Sequence, residues 1–362
     1  MKILIIEPYY TGSHKQWAEG YQKYSQHDIL ILSMKGQFWK WRMHGGAVTL
    51  AKEYKKLDFN PDLILASDML DLSTFNALIK TTARSAIYFH ENQLSYPWSP
   101  NDRDIIQKRD HHYGFINYSS ALVADHVFFN SKFHMNSFIN ALHQFLKNFP
   151  DYNELNSINN IQEKSDVLYL GLELEKFDIY KKAHHNKPLI LWNHRWEYDK
   201  NPDTFFSILK QIKNANYDFD LAILGENFNN SPDIFINAKN DFKKNILHWG
   251  YVEDFNIYSE WLWKANIIPV TSKQDFFGAS VMEAIYCKTY PLLPNRLSYP
   301  ELIPSQLHKD LIYKNEEDLY KKIIQAIENF NMQNFKIIRK VAKKYEWKLL
   351  APIYDNKMES LL

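Results

Sequence analysis

KILIIEPYYTGSHKQW, residues 2–17, opens on an apolar run, Ile3–Ile6, which meets a glutamate, a turn and then a helical start. A short apolar run bounded by a turn reads as a buried strand. Gly12 permits a tight turn, and Ser13 with Gln16 three residues on has the spacing of a capping box. A strand that enters a helix through a glycine turn is the first half of a strand–helix–strand unit. Because Glu7 interrupts the run so early, no secretion signal is expected here.

Outward from this stretch the pattern recurs. Asp28–Ser33, Asp62–Ser67, Ala86–His90, Asp125–Asn130 and Asp166–Leu170 read as short strands, mostly separated by helical patterns. That alternation predicts a parallel α/β sheet. The pattern restarts after Tyr180–Lys187, with strands expected at Pro188–Asn193, Phe219–Leu224, Ile246–Trp249, Ala265–Val270 and Tyr290–Leu293. We therefore expect two Rossmann-like, doubly wound α/β domains over residues 1–179 and 188–345, and a helix over 346–362 that packs back across them. Pro150–Ser165 reads as a surface excursion, and Phe335–Leu361 as two helices broken near Trp347 and Pro352. In such folds ligands bind at the carboxyl ends of the strands, here expected to face each other across a cleft.

The composition agrees. At 362 residues the chain exceeds one core, and 45% hydrophobic with 23% charged residues excludes long disorder. The one cysteine, Cys287, excludes a disulfide scaffold and a Cys-based zinc site and suits a reducing cytoplasm. No apolar run reaches the length of a membrane span, and a net charge of +1 means that any nucleic acid must be held by local patches.

Three loops carry chemistry. The helix start at Gly12, Ser13 and His14 attracts a phosphate or a sugar hydroxyl. NHRWEYDKNP, residues 193–202, sets Arg195 and Lys200 beside a helix expected to start with Asn201 as cap and Pro202 at its first position, which suits a diphosphate. In DFFGASVME, residues 275–283, the amides of Phe277, Gly278 and Ala279 would face an anion and the carboxylates of Asp275 and Glu283 sugar or ribose hydroxyls. A plain cap and a solvated glutamate are the alternatives. Lys35, Lys40, Arg42 and Lys52 interleave with Phe38, Trp39 and Trp41, the chemistry of RNA loops, although such aromatics also build cores. Asp68 is a weaker candidate for acceptor hydroxyls. The histidines lack matched partners at a metal spacing, so no metal site is expected.

The carboxylates eight apart, Asp275 and Glu283, with Arg195, Lys200 and Gly250, resemble the donor-binding set of family 4 retaining glycosyltransferases of GT-B architecture. Two positions depart from it: Asp275 stands for the usual Glu, and Lys288 for a Gly. IIEPYYTGSHKQW (5–17), FWKWR (38–42), YFHENQLSYP (88–97), HRWEYDKNP (194–202), HWGY (248–251), DFFGASVMEA (275–284) and YPE (299–301) more narrowly resemble the tRNA-queuosine mannosyltransferase family. The resemblance implies a cytoplasmic, metal-independent enzyme that needs no cofactor and moves mannose from GDP-mannose to queuosine in tRNA, with no stable membrane association. It implies His90 and Asp275 as catalytic residues. Gly12, Arg195, Lys200, Gly250, Phe276, Phe277, Gly278, Ala279 and Glu283 are then expected on the donor. Ser13, His14, Trp39, Lys40, Trp41, Arg42, Asp68, Glu91, Asn92 and Gln93 are expected on the acceptor. A lipid or polysaccharide acceptor, or tRNA binding without catalysis, are the competing readings.

Overall fold

A computed structural model describes residues 1–98, 104, 111–226, 232–330 and 335–362. The chain forms two compact units: residues 1–173 with 345–362, and residues 174–344. The chain therefore leaves the first unit at Glu173, ahead of the Tyr180–Lys187 stretch, and returns to it at Tyr345.

The first unit is built on β1 (Lys2–Tyr10), β2 (Asp28–Lys35), β3 (Leu63–Ser67), β4 (Arg84–Phe89), β5 (His126–Phe129) and β6 (Ser165–Val167). They pair in parallel in the order β2-β1-β3-β4-β5-β6. β3 is buried at every position, as strands with both faces covered must be, which is why its sequence is a continuous apolar run. The order reverses between β1 and β3, so the crevice of this unit opens at their carboxyl ends.

The second unit contains β7 (Leu189–Trp192), β8 (Asp220–Ile223), β9 (Ile246–Trp249), β10 (Ile267–Pro269), β11 (Tyr290–Pro294) and β12 (Ile312–Tyr313). Their order, β12-β11-β10-β7-β8-β9, reverses between β7 and β10. Both sheets are thus doubly wound.

Four local expectations are corrected. Ser13 is exposed and caps nothing: Thr11 is the N-cap of helix Gly12–Tyr24 and makes no side-chain cap bond, and Gly12 enters the helix at φ +50°. Asn201 does cap helix Pro202–Asn214, but through a left-handed backbone, φ +54°, and not through its side chain. Pro150–Ser165 is more than a surface excursion, since it holds helix Ser157–Glu163 with Ile158 and Ile161 buried. Pro352 lies inside the unbroken helix Trp347–Glu359, and the break falls before Trp347.

The return segment completes the first unit. Trp347 N–H donates to the Leu172 carbonyl at 3.0 Å, and its fully buried indole fills the space beside Gly20 and Gly171. A Cβ at either glycine would overlap that ring. Asp355 accepts from the Tyr21 hydroxyl at 3.0 Å and the Ser25 hydroxyl at 2.6 Å. Tyr345–Leu362 is therefore a part of the first unit.

Candidate functional site

In the second unit the loops after β7 and β10 meet at the switch point. Lys200 is buried, and its ammonium donates to the Gln274 carbonyl at 2.9 Å and reaches Asp275 and Asp199 carboxylate oxygens at 3.1 Å each. Asp275 spends its other oxygen on the Tyr299 hydroxyl, 2.7 Å away. Burial alone would raise the Asp275 pKa, but the Lys200 charge, His194 and the Tyr299 hydroxyl hold it below the ordinary carboxylate range. Lys200 is therefore a fixed cation, with three acceptors around its charge. Arg195 is half-exposed, with its guanidinium 3.2 Å from Glu197.

Gly278 caps helix Ala279–Tyr286 at φ +83°, a conformation that favours glycine. Ala279 heads that helix, where an amide has no intrahelical acceptor. Phe276 and Phe277 are buried under the turn. Glu283, in the second turn, accepts from the Tyr258 hydroxyl at 2.9 Å, and burial raises its pKa against the pull of Lys176. Gly250 follows β9 at φ +126°, and its N–H reaches the Ile223 carbonyl at 2.9 Å. Arg195, Lys200, Asp275 and Gly278 thus gather on the loops after β7 and β10, whereas Glu283 faces Tyr258 and Gly250 follows the edge strand β9.

In the first unit Glu7, His14, Asp68 and His90 converge at the carboxyl ends of β1, β3 and β4. His14 Nδ1 lies 2.9 Å from Glu7 Oε2, and Glu7 Oε1 accepts from the Tyr9 N–H at 2.8 Å. The His14 and His90 rings are 4.1 Å apart. The His90 backbone is clamped on both sides: its N–H donates to Asp68 at 2.8 Å and its carbonyl accepts from Asn130 at 2.9 Å. Burial, aided by His14 and His134, pushes the His90 pKa well down. Burial also lifts Asp68 to about 8, against His14. Glu7, His14 and His90 bring nitrogen and oxygen atoms within 4.8 Å of one another. At 2.9 Å, however, one proton shared between Glu7 and His14 satisfies both groups.

The turn after His90 is knit internally. Fully buried Asn92 accepts from the Leu94 and Ser95 N–H groups at 3.1 and 2.8 Å and donates to the Ser95 hydroxyl at 2.9 Å. Gln93 donates to Glu91 at 3.0 Å. Asn92 therefore shapes the loop and has little left for an acceptor.

The basic aromatic span divides in two. Trp39 packs with Trp98 and Tyr113, and the Lys40 ammonium sits 5.3–5.9 Å from the centres of these three rings while pairing with Asp104. Phe38 and Trp41 turn outward, 75% and 64% exposed. Arg42 Nε donates to the Lys35 carbonyl at 3.1 Å. The expectation that all of Trp39–Arg42 reaches a ligand is thus corrected by this inward packing of Trp39 and Lys40.

The family model for the tRNA-queuosine alpha-mannosyltransferase N-terminal region matches residues 2–172, and the one for glycosyl transferases group 1 matches residues 175–344. The Drosophila melanogaster tRNA-queuosine alpha-mannosyltransferase is 33% identical over 359 residues, with 92% of each chain covered. The chain belongs to the tRNA-queuosine alpha-mannosyltransferase family.

The fold is that of the wider GT-B class. Sucrose-phosphate synthase from Thermosynechococcus elongatus superposes with a TM-score of 0.71 at 13% identity, covering 100% of this chain and 99% of that one. A glycosyltransferase from Rickettsia africae gives 0.67 at 16%, covering 99% and 98%, and Anabaena HepE in complex with UDP and glucose 0.69 at 13%, covering 99% and 100%. The queuosine mannosyltransferase family member described here is accordingly a two-domain α/β glycosyltransferase. Among its described residues no helix is long and apolar enough to cross a membrane.

Two residues at this family member's strand ends escaped the sequence reading. Glu7 was visible as a lone charge at the end of an apolar strand. His194, directly after Asn193 and before Arg195, is buried with its Nε2 unpartnered, and burial lowers its pKa to about 4. Its carbonyl accepts from the Trp192 indole at 2.9 Å and lies against Gly225, where a Cβ would overlap it.

Proposed function

We propose that this chain transfers mannose from GDP-mannose to queuosine at the wobble position of tRNA, in the cytoplasm, with retention of anomeric configuration and without a metal ion or cofactor. The observation that carries this reading is the relative named for that transfer, matched over nearly the whole chain.

The donor's bond between C1 and the diphosphate oxygen breaks, and C1 bonds to an acceptor hydroxyl oxygen. The hydroxyl proton passes to the departing phosphate, which leaves as GDP. Stabilising that leaving group is the main electrostatic task. In this reading Arg195, Lys200 and the amides from Phe277 to Ala279 carry it, supported by their place at the switch point. Asp275, kept ionised by Lys200, orients the donor sugar, and the acceptor hydroxyl attacks on the face that the diphosphate leaves. His90 is taken as a catalytic residue, as the family resemblance implies. Phe38, Trp41 and Arg42 hold the anticodon loop by stacking and charge.

The test is sugar transfer to queuosine-containing tRNA with a panel of nucleotide sugars. Mannose incorporated from GDP-mannose, absent with tRNA lacking queuosine, is the expected result. Transfer only to a lipid or polysaccharide, or tRNA binding with no transfer from any donor, overturns it.

A further inference from the structure

His90 stands in a box of rings. Trp17 and Tyr88 approach it edge-on at 4.9 Å each, and His14 lies across it at 4.1 Å, tilted by 36°. Its Nε2 is buried and makes no hydrogen bond, while the backbone on either side is clamped by Asp68 and Asn130. A histidine so fixed, with hydrogen-bonding capacity unspent in the protein, costs stability unless a ligand uses it. The His14 side reads differently. That ring is tied at Nδ1 to a carboxylate fully removed from water, and Glu7 is itself fixed by the Tyr9 N–H.

We propose that Glu7 is a positioning residue for His90 acting through His14: its carboxylate keeps the His14 ring cationic, and that cation, lying across His90, keeps His90 an uncharged imidazole ready to hydrogen-bond a substrate hydroxyl. The role of His90 toward substrate rests on the function proposed above, whereas the chain of charge from Glu7 to His90 stands without it.

The groups facing His14 come from three strand ends. Glu7 on β1, Asp68 after β3 and Glu91 after β4 favour its charge, and burial opposes it, with a resulting pKa of about 9. Tyr9 packs edge-on at 6.1 Å. Two cationic rings 4.1 Å apart in this box would repel strongly, so a charged His14 disfavours charge on His90. Replacing Glu7 by an uncharged isostere removes the nearest support of the His14 charge and, through it, the restraint on His90.

The experiment compares wild type, Glu7→Gln and His14→Gln by ¹⁵N NMR of the histidine rings across a pH series, and by the pH dependence of mannosyl transfer. In Glu7→Gln the His14 titration should fall by about one pH unit or more, and the acid limb of kcat should move to higher pH as His90 becomes protonated more easily. His14→Gln, which removes the cation directly, should move the same limb the same way, and circular dichroism identifies any variant that has not folded. A folded Glu7→Gln protein whose His14 titration is unmoved overturns the proposal. So does a shifted His14 with an unshifted acid limb in both variants, or a stoichiometric divalent ion in purified wild type that Glu7→Gln loses. If wild type transfers no mannose to any acceptor, the proposed function fails while the NMR titrations still decide the chain from Glu7 to His90.

Discussion

Lys200 and Asp275 form a largely buried ion pair, Nζ to Oδ1 3.1 Å, and Asp199 lies 3.1 Å from the same ammonium. Lys200→Met should therefore have two effects. It takes the cation from buried Asp199 and part-buried Asp275, which costs about 3 kcal/mol of stability. It also removes charge from the donor loops, so GDP-mannose affinity should fall about ten- to hundredfold. Thermal melts and isothermal titration read the two separately. The double variant with Asp275→Asn should regain part of the stability but none of the affinity; full additivity of the stability losses would show that the pair is not coupled.

Asp275→Asn alone keeps the Tyr299 and Lys200 contacts sterically possible while removing the charge. Turnover is expected to fall more than donor affinity, read as kcat against KM, and a chelator should leave wild-type transfer intact. A divalent ion that restores activity after chelation would contradict the metal-free reading.

Stability should decline as pH rises from about 6.5 to 9. His14 has a folded pKa raised to about 9, so its contribution is full below its ordinary value of 6.5 and is lost as pH passes through 9. Asp68, raised from 3.8 to about 8, has the same sign, since the folded state holds the proton more tightly across that interval. Asp68→Asn should flatten the lower part of this slope. Melting temperatures measured across the range check it; a wild-type optimum near pH 9 would contradict both assignments.

Within the basic aromatic span, Phe38 and Trp41 are free to stack on a base without rearrangement, being 75% and 64% exposed. The double variant Phe38→Ala, Trp41→Ala should weaken tRNA binding by about 1–3 kcal/mol per lost stack while leaving donor affinity near wild type. Trp39→Ala should instead lower the melting temperature, because that ring packs with Tyr113 at 5.1 Å. Arg42→Ala should make the salt dependence of tRNA binding shallower. Filter binding over a salt series reads the first and last of these, and thermal melts read Trp39→Ala.

Lys288 stands at φ +71°, where a side chain is strained. Lys288→Gly should raise stability by about 1 kcal/mol, measured by urea unfolding, and an unchanged midpoint would mean that the lysine's contacts offset the strain.

How far the sequence reading reached follows from range. Strands such as Leu63–Ser67 and Leu189–Trp192 were legible because burial on both faces writes itself as an unbroken apolar run. β12 was not, since two residues, Ile312 and Tyr313, carry no period and pair only because β11 lies beside them. The Gly12 turn was legible from residue type alone, and its backbone does take positive φ. What stayed hidden were partners distant in sequence. Nothing near Lys200 announces Asp275, 75 residues away, nor does anything near Lys40 announce Asp104. The Ser13 box misled because Gly12, left-handed at the helix entrance, moves the cap to Thr11.

Trp347 fills its place beside Gly20 and Gly171 from the last of the described helices. During synthesis the first unit therefore emerges from the ribosome with that space unfilled and must wait until the whole second unit has been translated. For that interval its nascent form lacks its final wedge, and a truncation after Glu173 would preserve the same unfinished species permanently. The amino-terminal half thus gains its last packed ring only after the second unit has been made.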